Sequence, residues 1–148
     1  MAHDPLAAVN TALAGKYVAE GEIGKGGAAR VYRAHDKSGR IVALKALHPE
    51  LLVSSAADRF LQEVRMAGEL DHPHIVPLLD SGTAGWLVYY VMPYVEGPSL
   101  RQSIDQRGPL PATEVMAIAR DVLDALEHAH QRGLVHRDIK PDNILISP

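Results

Sequence analysis

Residues 17–47 constrain the fold more than any other stretch, because three strand-like runs follow one another with glycine-marked turns between them. The runs are 17–23, 30–35 and 40–47. Gly24-Lys25-Gly26-Gly27-Ala28-Ala29 joins the first two. Asp36-Lys37-Ser38-Gly39 joins the second pair as a four-residue hairpin connection, with glycine where a positive φ is needed. Consecutive hairpins predict an antiparallel sheet. Residues 75–80 and 86–92, joined by a turn at 81–85, extend it to five strands.

A helix interrupts the strands. Between residues 56 and 70, Phe60, Val64, Ala67 and Leu70 recur at helical spacing. Glu63 falls on that apolar stripe, whereas Asp58, Arg59 and Arg65 mark the charged face. A carboxylate on the apolar side of a helix needs a cation. Lys45, alone within Ile41-Val42-Ala43-Leu44-Lys45-Ala46-Leu47, is costly to bury unless it meets an anion. Strand alternation puts it on one face with Ile41 and Ala43. Taken by itself, Lys45 reads better as an edge-strand lysine that snorkels to water. Taken together, the lysine and the glutamate each supply what the other lacks, so the sequence pairs them. Glu69 competes but lies off the stripe, near the helix end.

The glycine loop alone is ambiguous. The Walker A spacing G-x-x-x-x-G-K-[ST] is absent, and a Rossmann fingerprint would need a helix where Val31-Tyr32-Arg33-Ala34 reads as strand. What remains is G-x-G-x-x-G-x-V between two strands, with Ala29 at the third glycine position, or a purely structural glycine hairpin. Alanine still lets backbone amides approach phosphate oxygens, though it restricts φ relative to glycine.

Asp71-His72-Pro73-His74 ends the helix, because the residue before proline avoids the α region. The two histidines lack further ligands at metal spacing and read as structural. Pro93-Tyr94-Val95-Glu96-Gly97-Pro98 is the clearest boundary in the chain. Beyond it Ser99 caps a short helix to residue 106. Residues 113–131 then form an amphipathic helix with Val115, Ile118, Val122, Leu126 and Ala129 on one stripe, ended by Gly133. Next comes His136-Arg137-Asp138-Ile139-Lys140-Pro141-Asp142-Asn143, a polar loop between two short apolar stretches that read as small strands. A charged surface loop is the plain alternative. Four specified identities at fixed spacing argue against it.

Composition removes several classes of function. With 148 residues the chain suffices for one modest domain, and a net charge of −3 gives no basic footprint for nucleic acid. There is no cysteine, which excludes disulfides and thiolate metal sites and suits a cytoplasmic location. Residues 1–16 lack the cationic start and apolar core of a signal peptide. The longest apolar run, 86–92, is too short to cross a bilayer, so no membrane segment is expected in this chain.

In combination the motifs resemble the first half of a bacterial serine/threonine protein kinase of the eukaryotic-like type. The glycine loop, Val42-Ala43-Leu44-Lys45, Glu63, Tyr90-Val91-Met92-Pro93-Tyr94-Val95-Glu96-Gly97 and the His136 to Asn143 loop, an H-R-D-x-K-x-x-N signature, occur in family order over residues 15–148. The resemblance implies an α+β, protein-kinase-like fold. A lead-in at 1–14 precedes a five-stranded antiparallel N-lobe with one helix at 15–92. A hinge at 93–98 and part of a helical C-lobe at 99–148 follow.

It also implies ATP and Mg2+ as cofactors and a protein serine or threonine as acceptor. Gly24 would open the phosphate loop, and the backbone amides of Lys25, Gly26, Gly27, Ala28 and Ala29 would cover the triphosphate. Ile23, Val31 and Ala43 would flank the adenine. Lys45, oriented by Glu63, would hold the α- and β-phosphates. Met92 resembles the family's gatekeeper, and the carbonyl of Pro93 and the backbone of Val95 would meet the adenine edge. Asp138 would be the catalytic base, Lys140 the γ-phosphate contact and Asn143 a magnesium ligand. Arg137 before that Asp often accompanies control by activation-loop phosphorylation in the family, and Lys140 is its serine/threonine variant.

A complete kinase domain needs on the order of 250 residues, and the family's D-F-G and A-P-E segments have no counterpart up to Pro148. On that ground the 148-residue chain by itself is expected to be inactive or nearly so, and marginally folded. Two classes of function stay open: part of a kinase catalytic domain, or a truncated, non-catalytic nucleotide-binding or docking module. Intact Lys45, Glu63, Asp138 and Asn143 favour the first. Besides ATP and a protein substrate, a kinase homodimer and a missing C-terminal portion are the partners left open.

Overall fold

Strands β1 (Tyr17–Lys25), β2 (Ala29–Asp36), β3 (Ile41–Leu47), β4 (Asp80–Ala84) and β5 (Leu87–Pro93) form one antiparallel sheet in the order β1-β2-β3-β5-β4. Helix α1 (Pro5–Ala12) precedes them, and α2 (Ser55–Glu69) comes between β3 and β4 in the chain. The structure, a computed structural model, describes residues 5–25, 29–47, 52, 55–134 and 139–147. Contacts divide the chain into two units, residues 1–69 with 77–94, and residues 70–76 with 95–148. The second unit holds α3 (Leu100–Arg107), α4 (Ala112–Gln131) and a 3-10 turn at Pro141–Asn143.

Local chemistry explains the first hairpins. Asp36 Oδ1 accepts hydrogen bonds from the Ser38 amide at 2.8 Å and the Arg40 amide at 3.0 Å, and Gly39 takes φ 87°. The side chain thus builds the turn that reverses β2 into β3. Alternation then gives the sheet two apolar faces. One buries Tyr32, Val42, Leu44, Leu87, Tyr89 and Val91 beneath Val9 and Leu13 from the α1 segment. The other packs Ala29, Leu47 and Tyr90 against Ala57 and Phe60 of α2.

Three sequence expectations change. Residues 1–14, read as a lead-in, contain a helix that joins the core of the first unit. Asn10 secures it by donating to the Ala19 carbonyl at 3.0 Å and accepting from the Ala19 amide at 2.7 Å. The fourth strand is not 75–80 but Asp80–Ala84, and the stretch before it stays irregular. Pro77 has no amide to give a ladder. Gly85 at φ 61° makes a two-residue turn that pairs Ala84 with Leu87. Finally, β3 is the middle strand of the sheet, not an edge, so Lys45 is flanked by ladders on both sides.

In the second unit, α3 carries the expected cap. Gln102 donates its amide to Ser99 Oγ at 3.1 Å, and the Ser99 amide donates back to Gln102 Oε1 at 2.9 Å. Arg107 near the end of α3 grips both carboxylate oxygens of Glu114 on α4, at 2.7 and 2.8 Å. Residues 70–76 group with α4 rather than with the sheet, against the expected 15–92 lobe. His72 lies 3.2 Å from Asp124, and His74 lies 3.3 Å from Asp121. Among the described residues no group of three His, Asp or Glu side chains could hold a metal. Nor is any described helix long and apolar enough to cross a membrane.

Candidate functional site

Lys45 stands on β3 directly across the ladder from Tyr90 on β5, with Val31 of β2 on its other side. Its Nζ donates to Glu63 Oε1 at 2.8 Å, so the lysine and glutamate paired from sequence are in contact. Glu63 reaches the sheet because Phe60, one turn earlier on α2, is buried against Tyr90, with ring centroids 5.3 Å apart. A third group completes the arrangement. The Tyr90 hydroxyl donates to the same Glu63 Oε1 at 2.6 Å. Burial, reinforced by the adjacent Glu63 carboxylate, pushes the Tyr90 phenol far above its ordinary range. The ring therefore stays a neutral donor. Sequence analysis missed this role, because a tyrosine in a strand reads simply as a good β-former.

The same face of the sheet carries other predicted residues. Val31, Ala43, Lys45 and Met92 share it by alternation and register, Val31 opposite Lys45 and Ala43 opposite Met92. Ala43 is buried, and Met92 is partly buried against the cluster that contains Phe60 and Tyr90. Ile23 lies at an irregularity between Glu22 and Gly24, where β1 shifts register against β2, and is exposed. Gly24 pairs with Val31, and Lys25 pairs with Arg30. Gly26, Gly27 and Ala28 lie outside the described residues. Pro93 ends β5 opposite Val42. A shallow depression formed by Lys16, Tyr17, Asp36, Lys37, Ser38 and Asp80 lies at the far end of the β1–β2 hairpin, and none of the predicted site residues lines it.

The second unit contributes Val95, Lys140 and Asn143. Arg137 and Asp138 lie outside the described residues. Asn143 closes the 3-10 turn, its amide donating to the Lys140 carbonyl at 2.9 Å, and both residues are exposed. The chain after the turn is pinned to the start of α3: Leu100 donates to the Ile144 carbonyl at 2.7 Å, and Ile146 donates to that of Pro98 at 2.9 Å. Leu145 makes an isolated bridge with Ser99 instead of the expected small strand.

A profile of the protein kinase domain matches residues 17–148. The chain belongs to the protein kinase family. It is 43% identical over 136 residues to the serine/threonine-protein kinase PrkC of Bacillus subtilis, a match covering 90% of this chain and 21% of PrkC. To the serine/threonine-protein kinase PknD of Mycobacterium tuberculosis it is 39% identical over 127 residues, covering 84% of this chain and 19% of PknD. The solved kinase domain of Mycobacterium tuberculosis PknI aligns with a TM-score of 0.77 at 36% identity, over 90% of this chain and 55% of that one. The chain thus spans about a fifth of the length of these curated relatives. Its five-stranded antiparallel sheet with α2 packed on one face is the α+β fold of a kinase N-lobe.

Proposed function

We propose that this chain carries the nucleotide-binding lobe and catalytic loop of a protein serine/threonine kinase domain. That domain transfers the γ-phosphoryl group of ATP to a serine or threonine hydroxyl of a protein. The observation that supports this best is the 2.8 Å contact between Lys45, on the middle strand, and Glu63 of α2. A cation fixed by a carboxylate on an apolar sheet face is suited to the α- and β-phosphates, and Val31, Ala43 and Met92 on that face suit an adenine. The hairpin ending in the Lys25–Arg30 pair would lay backbone amides over the triphosphate.

In the transfer step the acceptor oxygen bonds to the γ-phosphorus as the bond to the bridging oxygen breaks, and ADP leaves. Asp138 takes the hydroxyl proton, and Lys140 offsets negative charge on the moving group. Asn143 offers a hard carboxamide oxygen of the kind Mg2+ accepts alongside substrate phosphates. Mg2+ held there would neutralise charge that develops on the phosphoryl oxygens.

The test is Lys45→Met in the full-length protein, assayed for phosphoryl transfer. Transfer is expected to fall by at least about 10²-fold, the scale for removing one preorganised electrostatic contact. Undiminished transfer would reject this role for Lys45, whereas no transfer by the unaltered protein would leave a docking or nucleotide-binding module as the better reading.

A further inference from the structure

Glu63 Oε1 receives two donors, and only one of them is the lysine. The other is the Tyr90 hydroxyl at 2.6 Å, closer than Lys45 Nζ at 2.8 Å. The two donors differ in character. Lys45 reaches Glu63 through a four-carbon stem, and the Glu63 side chain is 46% exposed, so the ion pair alone is a weak and loosely held contact. Tyr90 has two side-chain torsions, is 5% exposed and is wedged against Phe60. Its hydroxyl is therefore held in place by packing. Lys45 Nζ also lies 5.7 Å from the Tyr90 ring centroid, so one tyrosine touches both members of the pair.

We infer that Tyr90 is a positioning residue for phosphoryl transfer: its buried hydroxyl fixes the Glu63 carboxylate, and through it the ammonium of Lys45. This rests on the kinase reading above. Phe60 and Glu63 lie on the same side of α2, and both contact Tyr90, one through the ring and one through the hydroxyl. Any displacement of α2 from the sheet breaks both contacts at once and leaves a buried phenol without its acceptor, which is costly. Tyr90 thus links the placement of a whole helix to the orientation of one lysine.

The experiment is a double-mutant cycle in the full-length protein, combining Tyr90→Phe with Glu63→Ala, which removes the acceptor oxygen. Phenylalanine keeps the ring on Phe60, so the melting temperature is expected to stay at the wild-type value. The kcat/KM for ATP is expected to fall about tenfold, the size of one hydrogen bond to a charged group. Affinity for a fluorescent ATP analogue, which needs no turnover, is expected to weaken in parallel. In the Glu63→Ala background the Tyr90→Phe effect is expected to vanish, because the tyrosine acts through that carboxylate. Wild-type kinetics for Tyr90→Phe, or effects that multiply independently in the double variant, would overturn the inference while leaving the kinase reading intact. Undiminished transfer by Lys45→Met would likewise overturn the inference alone, whereas no transfer by the unaltered protein would overturn both.

Discussion

Lys45 and Glu63 meet at 2.8 Å although 18 residues separate them, and each sits where its own element would otherwise leave it poorly satisfied. Replacing Glu63 by Gln keeps the shape and removes the charge. The Glu63 side chain is about half-exposed, so the pair contributes only about 0–1 kcal/mol to folding, and the melting temperature should barely move. Transfer should suffer far more, by roughly 10²-fold in kcat/KM, because a misplaced phosphate contact disturbs the reacting geometry. Steady-state kinetics beside calorimetry on the same variant would check this separation. A large loss of stability with normal kinetics would contradict it.

The opposite separation is expected at Leu44. It neighbours Lys45 on β3 but points into the other apolar face, where it has no exposed surface. Leu44→Ala should cost about 2–5 kcal/mol, and Leu44→Met less than about 1.5 kcal/mol, because methionine conserves volume. Urea unfolding would measure both.

What was legible in the sequence follows from how local its physical cause is. The β2–β3 hairpin could be read because Asp36 and Gly39 build the turn by themselves. Glu63 could be read because a carboxylate breaks an apolar helical stripe. The fourth strand was misplaced because Asp80, Gly82 and Ala84 are weak strand formers, and the segment pairs only with β5. Helix α1 carries almost no signal of its own, and Asn10 matters only because it meets Ala19. Tyr90 was invisible for the same reason: its hydroxyl partner lies 27 residues away.

Ser99 offers a test confined to the second unit. Its side chain and that of Gln102 cap each other's amides, so both orphan donors at the start of α3 are satisfied. Ser99→Ala should destabilise by about 1 kcal/mol, and Ser99→Asp should recover most of that, since aspartate caps equally well. The denaturant midpoint reports the difference. Equal losses for alanine and aspartate would show that the cap is not what Ser99 contributes.

His128 on α4 predicts a pH dependence. Its Nδ1 lies 3.0 Å from an Arg132 guanidinium nitrogen, which can only donate. The neutral ring therefore carries its proton on Nε2, an atom that is buried without a hydrogen-bond partner. Desolvation pushes the ring's pKa below 6.5. The Arg132 cation and His72, whose ring centroid lies 5.1 Å away, add to the shift, while Asp71 and Asp124 oppose it. Between the lowered folded value and 6.5 the unfolded chain binds more protons, so stability rises with pH there. The contribution is complete above 6.5 and is lost as pH falls through the folded value. Melting temperature should decline on acidification below 6.5, and His128→Phe should flatten that part of the profile because phenylalanine cannot titrate. A profile with the same slope in the variant would assign the acid sensitivity to other groups.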